Sequence, residues 1–411
     1  MTATQRILLG LALGALGGIA LAHATPDLAV RVADAVQPLG KLWLSALQMT
    51  VVPLVLSLVV VGANTATDAA ASGRIARRAI VVFLLLLALG AAVAAIVSPG
   101  LFALFPRSAS LAAALSGATG HMPETAPVGW SDWLAGIVPT NAVMAAANSA
   151  MLPLVVFAMF LGFALTRIAA ERRALVVEFF RAIADAMIVV VRWVLLVAPL
   201  GVFCLILAVC ARAGLHMLGA LGVYVLVECI VYVGVTALML VVARVWGREP
   251  FARFAAAIAP AQVVAASTQS SLASLPAMLE SADRRLGYPT AVTSLVLPMA
   301  VSLFRLTSPI QYIVSSCFIA WALGIDLGVA QLSAGAALAV VISLGSVGLP
   351  GQVTFIATNV PVAQAMGLPI APLGIMLAVD TLPDTLATLG NVTADLAATS
   401  VVAAHSRKDD A

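Results

Sequence analysis

The sequence predicts an all-α polytopic membrane protein with eight transmembrane helices and two re-entrant helical hairpins. Three observations support this fold class: 63% of the 411 residues are hydrophobic, 9% are charged, and the mean hydropathy is +1.11. Soluble domains have a more polar composition, whereas a chain with many membrane-spanning helices has this one. The net charge is only +3 and no basic patch occurs, so we expect no nucleic-acid partner.

Eight apolar segments reach or approach the ~20 residues that a helix needs to cross about 30 Å of hydrocarbon. In chain order they are residues 7–23, 40–63, 79–105, 143–166, 175–209, 217–245, 289–317 and 373–404. We interpret the first as a retained span, because it lacks the pattern of a cleavable signal peptide. The lipid bilayer is therefore the expected environment of most of the chain.

Two further apolar stretches, 253–283 and 333–368, are interrupted by Ser, Gly and Pro near their middles. An unpaired backbone group in lipid costs several kcal/mol, so these stretches are not simple spans, and we expect re-entrant hairpins. Their tips, Ser270–Pro276 and Ser343–Gly351, are similar, and one span with unusual polar residues follows each. This repetition is typical of inverted-repeat transporters, with a site at mid-membrane. Two coincidental Ser- and Gly-rich loops are the alternative.

The distribution of arginine and lysine predicts the orientation. With a cytoplasmic N-terminus, the cytoplasmic loops and tail collect most of the basic residues. These are Arg74, Arg77, Arg78, Arg167, Arg172, Arg173, Arg244, Arg248, Arg284, Arg285, Arg407 and Lys408. The other side has little beyond Arg31, Arg107 and Arg212. The positive-inside rule then predicts an inner-membrane protein with both termini in the cytoplasm and an external loop at 106–130.

The last apolar segment carries the most informative polar residues. Asp380, Asp384, Asn391 and Asp395 fall at offsets of 0, 4, 11 and 15, which share one face of a continuous helix. A charge near the bilayer centre costs roughly 2.5–3.5 kcal/mol, so such residues face a partner, a cavity or a ligand. We therefore expect a binding site here. For Asp380, a structural charge that neighbouring groups satisfy is an equally good interpretation.

Several motifs in this order resemble the dicarboxylate/amino acid:cation symporters, the family of the glutamate transporters. They are Ile137–Asn141 and Val155–Ala158 in the fourth segment, Ala198–Phe203 in the fifth, the two hairpin tips, and Asn391–Asp395 in the eighth helix. The resemblance implies a homotrimer whose transport domains move as elevators against a static scaffold. It assigns helices 1 and 2 (1–72) and helices 4 and 5 (131–215) to the scaffold. Residues 73–130 contain the third helix, which belongs to the transport domain, and the external loop. Residues 216–411 form the rest of the transport domain.

The resemblance also implies roles for individual residues. Asp384 would hold a substrate amino group and Asn391 its α-carboxylate, in keeping with the chemistry of these side chains. The whole expected substrate set is Ser270, Ser271, Arg305, Ser308, Gly351, Asp384, Ala387, Thr388 and Asn391. The expected sodium set is Ser302, Ser343, Leu344, Ser346, Asn391 and Asp395, whose oxygen atoms, partly from the backbone, suit a hard cation. Asp380 and Arg305 are expected to form a charge network.

The chain departs from the family pattern at its sodium ligands. The family's Asn-Met-Asp-Gly-Thr signature is here Phe304–Ser308, and the third helix has Phe83–Ala88 in place of a Thr/Ser pair. We expect one sodium site to be lost, one to be weakened, and the site at the second hairpin to remain. The hypothesis that follows is coupling to fewer sodium ions, or to protons, with no other cofactor.

The substrate class depends on two positions. Family members that select acidic substrates carry Arg where this chain has Ala387, so we expect a neutral amino acid. Arg305 opens the alternative, because its guanidinium is suited to grip a carboxylate of an acidic amino acid or C4-dicarboxylate. It could also substitute for a missing sodium ion, or merely neutralise the aspartates.

Other function classes are less compatible with the sequence. Asp380 and Asp384 could share a proton, as in an intramembrane aspartyl hydrolase, but such enzymes carry the two aspartates on separate helices. We therefore expect a transporter, not an enzyme. A channel or a transport-impaired receptor on the same fold is the nearer alternative. We interpret the intramembrane charges Lys41, Asp185 and Glu228 as snorkelling or paired, with a transport role as the weaker reading.

Overall fold

The computed structural model describes residues 3–71, 73–107, 136–345, 351–380 and 382–409, together with residues 112 and 115. All regular secondary structure in these residues is helical. The helices are α1 (Ala3–Ala24), α2 (Pro26–Gln48), α3 (Val51–Ala71), α4 (Arg74–Ala103), α5 (Ala142–Ala147), α6 (Met151–Leu165), α7 (Ala170–Leu196), α8 (Ala198–Ala213), α9 (Leu215–Val245), α10 (Phe251–Thr268), α11 (Ser271–Glu280), α12 (Thr290–Leu303), α13 (Thr307–Leu323), α14 (Val329–Gly345), α15 (Gly351–Ala365), α16 (Leu373–Val379) and α17 (Asp384–Asp409). A π-helical turn, Ser281–Leu286, follows α11.

The composition of these helices fits a protein that crosses a membrane several times. Within the described residues, seven helical stretches are long and apolar enough to span a bilayer. The pair α7 and α8, bent by 59°, would make an eighth span. The prediction of an all-helical polytopic membrane protein is confirmed at this level. The predicted external loop, 106–130, lies almost entirely outside the described residues.

Several segments that we predicted as single spans are interrupted. The segment 175–209 is divided between α7 and α8, because Pro199 opens a new helix and its ring is incompatible with a continuing one. The segment 143–166 is divided between α5 and α6, and Ser149 at the junction has a left-handed φ of 52°. The predicted span 40–63 is too short, since α2 and α3 together form an apolar stretch from Asp27 to Ala71.

Two further breaks concern the polar residues. The segment 289–317 is divided at Phe304–Leu306, and the segment 373–404 is divided at 380–383. Pro309 lies just beyond the first break and Pro383 is the last residue of the second, and each lacks an N–H and would clash with the carbonyl four residues before it. Asp380 is therefore outside α17, and the prediction that it shares one continuous helical face with Asp384, Asn391 and Asp395 is wrong.

The last helix, α17, lies at the centre of the packing around the site. In its most apolar stretch 89% of the residues are buried, compared with 28–56% in the other spans of the described chain. It packs against α4, α9, α10 and α12. A Cβ on Gly390 would lie 2.9 Å from Thr307 Cγ2 and 3.0 Å from Thr236 Oγ1, so this glycine permits close approach of α13 and α9. A helix enclosed in this way can carry polar side chains that lipid would exclude.

A second packing contact joins α1 to α8. Gly10, Gly14 and Gly18 recur every four residues on the same face of α1, which lies directly against the backbone of α8. A Cβ on Gly14 would be 2.7 Å from the carbonyl oxygen of Phe203, and one on Gly18 would be 2.7 Å from that of Leu207. Small residues at such positions let membrane helices approach closely.

We expect Gly14→Val to destabilise the protein, because overpacking a tight contact costs about 1–3 kcal/mol. Gly17→Val is the matched control, since a Cβ on Gly17 would meet only Leu207 Cδ1, at 3.8 Å. The measurement is the thermal unfolding temperature of each purified variant in detergent. Equal unfolding temperatures for the two variants would contradict the proposed contact.

Candidate functional site

The helix break between α12 and α13 contacts two other elements. The backbone N–H of Thr307 donates to Asn391 Oδ1 on α17 at 3.0 Å. The carbonyl of Arg305, which Pro309 prevents from accepting the usual helical bond, accepts from Ser343 Oγ on α14 at 3.2 Å. Side chains of α14 and α17 thus bind backbone groups at the interruption, where the carbonyl of Arg305 also accepts from the backbone N–H of Ser308 at 3.1 Å. This brings Arg305, Ser343 and Asn391 of the predicted set together.

The break between α10 and α11 meets the beginning of α17. Gln269 has a left-handed φ of 50°, and its Nε2 donates to Thr385 Oγ1 at 2.8 Å. Ser270 caps α11 by accepting from the backbone N–H of Ala273 at 3.2 Å. Ser270 and Ser271 are partly buried beside this junction. The N-termini of α11 and α17 therefore lie close to each other, and both carry partial positive charge.

Two carboxylates of the predicted site, those of Asp384 and Asp395, interact with Arg305. The side chain of Arg305 is partly buried. Asp384 is partly buried at the first position of α17. Asp395 is fully buried, and neither of its carboxyl oxygens has a hydrogen-bond partner among the described residues. A buried carboxylate with both oxygens free of donors has the chemistry to accept a small cation.

The remaining substrate-set residues on these helices are mostly enclosed. Ser308, Ala387 and Thr388 are buried, and the hydroxyl of Thr388 donates to the carbonyl of Asp384 at 2.9 Å. Gly351 is the first residue of α15.

The predicted sodium ligands are only partly assembled in the described residues. Ser343 is buried and Leu344 half-buried at the end of α14, whereas Ser346 lies outside the described residues. Ser302 is exposed, and its hydroxyl donates to the carbonyl of Pro298 in its own helix at 2.8 Å. No described contact joins Ser302 to Asn391 or Asp395. The described part of the chain also has no cluster of three or more His, Cys, Asp or Glu side chains that could hold a metal ion.

An aromatic pair occupies the region where the sequence departs from the sodium-ligand pattern. The rings of Phe83 on α4 and Phe304 stack with centroids 4.9 Å apart and an angle of 7°. Both side chains are fully buried, as is Leu306. Such a stack supplies no oxygen ligand, so this pair cannot coordinate a cation as carboxamide, carboxylate or hydroxyl groups would.

The structure adds a carboxyl outside the predicted set, that of Glu228, next to the predicted residue Asp380. Asp380 is buried at the break before α17 and accepts from Gln311 Nε2 at 2.5 Å. Its charge interacts with that of Glu228, a fully buried residue of α9. Tyr232 donates its hydroxyl to Glu228 Oε1 at 2.8 Å. Of the two interpretations of Glu228, snorkelling is wrong, because the residue has 13 residues of α9 before it and 17 after it and so lies near the middle of the helix, whereas pairing agrees with its hydrogen bond from Tyr232.

A cavity of about 440 Å³ lies away from these residues, between α4, α9 and the C-terminal part of α17. Its lining is Val82, Leu85, Val245, Trp246, Arg248, Val401, Ala404 and His405. It includes none of the predicted site residues, so we assign it no part in substrate binding.

Comparison with known proteins gives one family match and full-length relatives. The model of the sodium:dicarboxylate symporter family matches residues 3–405. The chain is 29% identical to the proton/glutamate-aspartate symporter of Escherichia coli (strain K12), over 98% of this chain and 93% of that protein. It is 27% identical to the proton/sodium-glutamate symport protein of Bacillus caldotenax, over 94% and 90%. It is 28% identical to the C4-dicarboxylate transport protein of Cupriavidus taiwanensis, over 96% and 89%.

We expect Asn391→Ala to destabilise the protein even without a ligand. The variant leaves the buried N–H of Thr307 without its acceptor, which costs about 1–3 kcal/mol. Asn141→Ala is the control, because Asn141 accepts from Met144 N at 3.0 Å at an exposed helix end, where water can replace it. Thermal unfolding of the ligand-free variants is the measurement. A loss for Asn391→Ala no larger than for Asn141→Ala would show that the bond is not structural.

Proposed function

The chain belongs to the sodium:dicarboxylate symporter family, and we propose on this premise that it imports acidic amino acids together with protons or sodium ions. It is a secondary symporter by its family and by relatives that match nearly its whole length. The expected preference for neutral amino acids is not supported, since the relatives described above are named for glutamate, aspartate or C4-dicarboxylates. The alternative based on Arg305 therefore becomes the proposal.

The observation that carries the proposal is the position of Arg305. This cation lies at a helix break, only partly buried, beside Asp384 and near helix N-termini. A guanidinium binds a carboxylate through two parallel hydrogen bonds, and helix N-termini favour anions. Arg305 would thus bind the side-chain carboxylate of the substrate, which is the role of the Arg that acidic-substrate members of the family carry at the position of Ala387. Ala387, three residues after Asp384 on α17, lies on the same face of that helix and carries a small, uncharged side chain.

Asp384 favours an acidic amino acid over a C4-dicarboxylate. A partly buried carboxylate attracts an ammonium group and repels a second carboxylate. Glutamate and aspartate carry an ammonium for Asp384 and a side-chain carboxylate for Arg305, whereas a C4-dicarboxylate has no group for Asp384. C4-dicarboxylates remain the second candidate, because one relative carries that name.

The stack of Phe83 on Phe304 supports a reduced requirement for sodium. It fills with apolar atoms the region where the family pattern has oxygen ligands. Asp395, with both oxygens free of described donors, is the best remaining ligand, and Asn391 and Ser343 lie within the same group of helices. We propose coupling to at most two sodium ions, or to protons. Both kinds of coupling occur in the names of the relatives.

We also propose the architecture that the family resemblance implies. The pairs α10–α11 and α14–α15 each pack against each other. At 1.5 Å per residue, the 10 residues of α11 and the 15 of α15 rise only about 15 and 22 Å. Neither crosses about 30 Å of hydrocarbon, which favours re-entrant hairpins. We further propose that the protein is a homotrimer with moving transport domains. Both termini would lie in the cytoplasm, and the protein would be a transporter without enzymatic activity.

The substrate class can be tested by thermal shift of the purified protein. The ligands are aspartate, glutamate, succinate and neutral amino acids, each in sodium and in choline buffer. A ligand at a hundred times its dissociation constant stabilises the folded state by about 2.7 kcal/mol. We expect aspartate or glutamate to stabilise most, and sodium to add less than the substrate does. Stabilisation by neutral amino acids alone would overturn the proposal.

We expect Arg305→Met to weaken binding of the acidic substrate by about 10-fold to 150-fold, since a hydrogen-bonded charge contributes about 1.5–3 kcal/mol. Arg192→Met is the control, because Arg192 is an exposed cation on α7 and belongs to none of the predicted site residues. The measurement is isothermal titration calorimetry with and without sodium. If Arg305→Met keeps its affinity but requires more sodium, Arg305 replaces a cation and does not grip the substrate.

A further inference from the structure

Glu228 is a buried acid that belongs neither to the predicted substrate-binding residues nor to the predicted sodium ligands. It lies about 20 Å along α9 from the beginning of the helix and about 25 Å from its end, at 1.5 Å per residue. Its side chain is fully buried, so it cannot extend to either membrane surface. No lysine or arginine lies among the groups that act on it in the described chain. A permanently charged carboxylate in this position would cost several kcal/mol.

The two oxygens of Glu228 have different surroundings. Oε1 accepts the hydroxyl of Tyr232 at 2.8 Å, one turn further along α9. Oε2 is buried and has no hydrogen-bond partner among the described residues. A buried polar atom without a partner costs about 1–3 kcal/mol, and native structures generally satisfy it. A hydrogen on Oε2 would remove the negative charge from this buried position.

The groups that face Glu228 are acids and phenols. Asp380, at the break between α16 and α17, and Asp384, at the start of α17, act on it electrostatically. On α9 itself they are Tyr224, Tyr232 and Cys229. Helix α13 contributes the neutral Ser315, which pairs with Tyr224 at 3.1 Å, and Gln311, which donates to Asp380. From α4, α8 and α10, no described ionisable group is among those that act on Glu228.

Asp380 and Glu228 are thus unequal members of one acidic pair. Asp380 receives a short bond of 2.5 Å from an amide N–H of Gln311, which stabilises its charged form. Glu228 accepts from Tyr232 on Oε1, and the hydroxyl of Tyr224, which pairs with Ser315 at 3.1 Å, is the second phenol that acts on it, whereas Oε2 has no partner at hydrogen-bond distance among the described residues. Two neighbouring buried carboxylates repel each other, so the pair binds one proton readily and gives it up at an electrostatic cost. The geometry favours Asp380 as the charged member and Glu228 as the member that holds the proton.

We propose that Glu228 is the proton-carrying residue of this symporter, with Oε2 as the atom that is protonated. This inference rests on the proposed symport function and assigns its coupling proton to a residue. The O–H bond forms when the site faces the side of higher proton concentration, and the same bond breaks to release the proton on the other side. Loss of the proton restores repulsion between Glu228 and the aspartates that hold the substrate region. Proton release and substrate release are thereby linked through Asp380 and Asp384.

The test uses the full chain in proteoliposomes, with the membrane potential clamped to zero. A gradient of one pH unit drives about tenfold accumulation for each coupled proton. Glu228→Gln keeps the shape of the protonated acid but cannot exchange its proton. We expect it to lose accumulation driven by the pH gradient while it retains exchange of internal for external aspartate within about twofold of wild type, as the linkage between proton and substrate predicts. Asp185→Asn is the matched control, because Asp185 is an exposed carboxyl on α7, outside the predicted site.

Tyr232→Phe provides a second, milder variant, since it removes only the hydroxyl that donates to Oε1. The charged carboxylate then loses a donor, so the proton binds at a lower proton concentration. We expect half-maximal uptake to move to higher pH with the exchange rate retained. This variant tests the proposal even if Glu228→Gln fails to fold. An unchanged pH profile for Tyr232→Phe would count against Glu228.

The outcomes separate this inference from the proposed function. If wild type transports none of aspartate, glutamate and succinate, the proposed function fails. If wild type accumulates aspartate with sodium but not with a pH gradient, symport stands and the role of Glu228 is refuted. Wild-type accumulation by Glu228→Gln under a pH gradient also refutes it. Loss of proton coupling in Asp380→Asn, with Glu228→Gln unaffected, would assign the proton to Asp380 instead.

Discussion

The site depends on one constraint: four carboxyl groups and one guanidinium lie among membrane helices, where charge is costly. Asp380 and Asp395 are buried, Asp384 is partly buried, and Glu228, on α9, is fully buried. Their burial is tolerated because α17 is surrounded by other helices and does not face lipid. The broken helices are part of the same solution, since each break supplies backbone groups that side chains such as Asn391 and Ser343 bind. Polar chemistry and interrupted backbone thus occur together at the centre of the packing.

Much of this arrangement could be predicted from the sequence. The charge pattern of Asp384, Asn391 and Asp395 identifies the helix that carries the site, because an apolar segment with three such residues has few structural explanations. The Ser- and Gly-rich interruptions near residues 270 and 345 likewise indicate where helices end. Composition alone gives the all-helical membrane class, since few other proteins contain 9% charged residues.

The rest could not be predicted, for physical reasons that differ between residues. The prediction that Asp380 lies on the face of α17 assumes that the helix continues through Pro383. Pro383 has no N–H to donate to the carbonyl four residues before it, and the helix begins only at Asp384. Glu228 stands alone among apolar residues in the sequence, and its neighbours Asp380 and Asp384 are about 150 residues away. One local signal existed: Tyr224 and Tyr232 lie four residues to either side, on the same face, where a buried acid needs donors. The local sequence around Glu228 does not indicate that carboxyl groups about 150 residues away lie close to it in the fold.

The charges of the site explain why substrate and cation would cross the membrane together. With every group ionised, the four carboxyls and Arg305 carry a net charge of −3, and an acidic amino acid adds a further negative charge. Moving this group of helices through the low-dielectric part of the bilayer would be opposed by charge that nothing balances. A proton on Glu228 removes one negative charge, and a cation at Asp395 removes another. The form with substrate alone then carries a net charge of −4, whereas the form with substrate, proton and cation carries −2, and that difference couples the cations to the substrate without any direct contact between them.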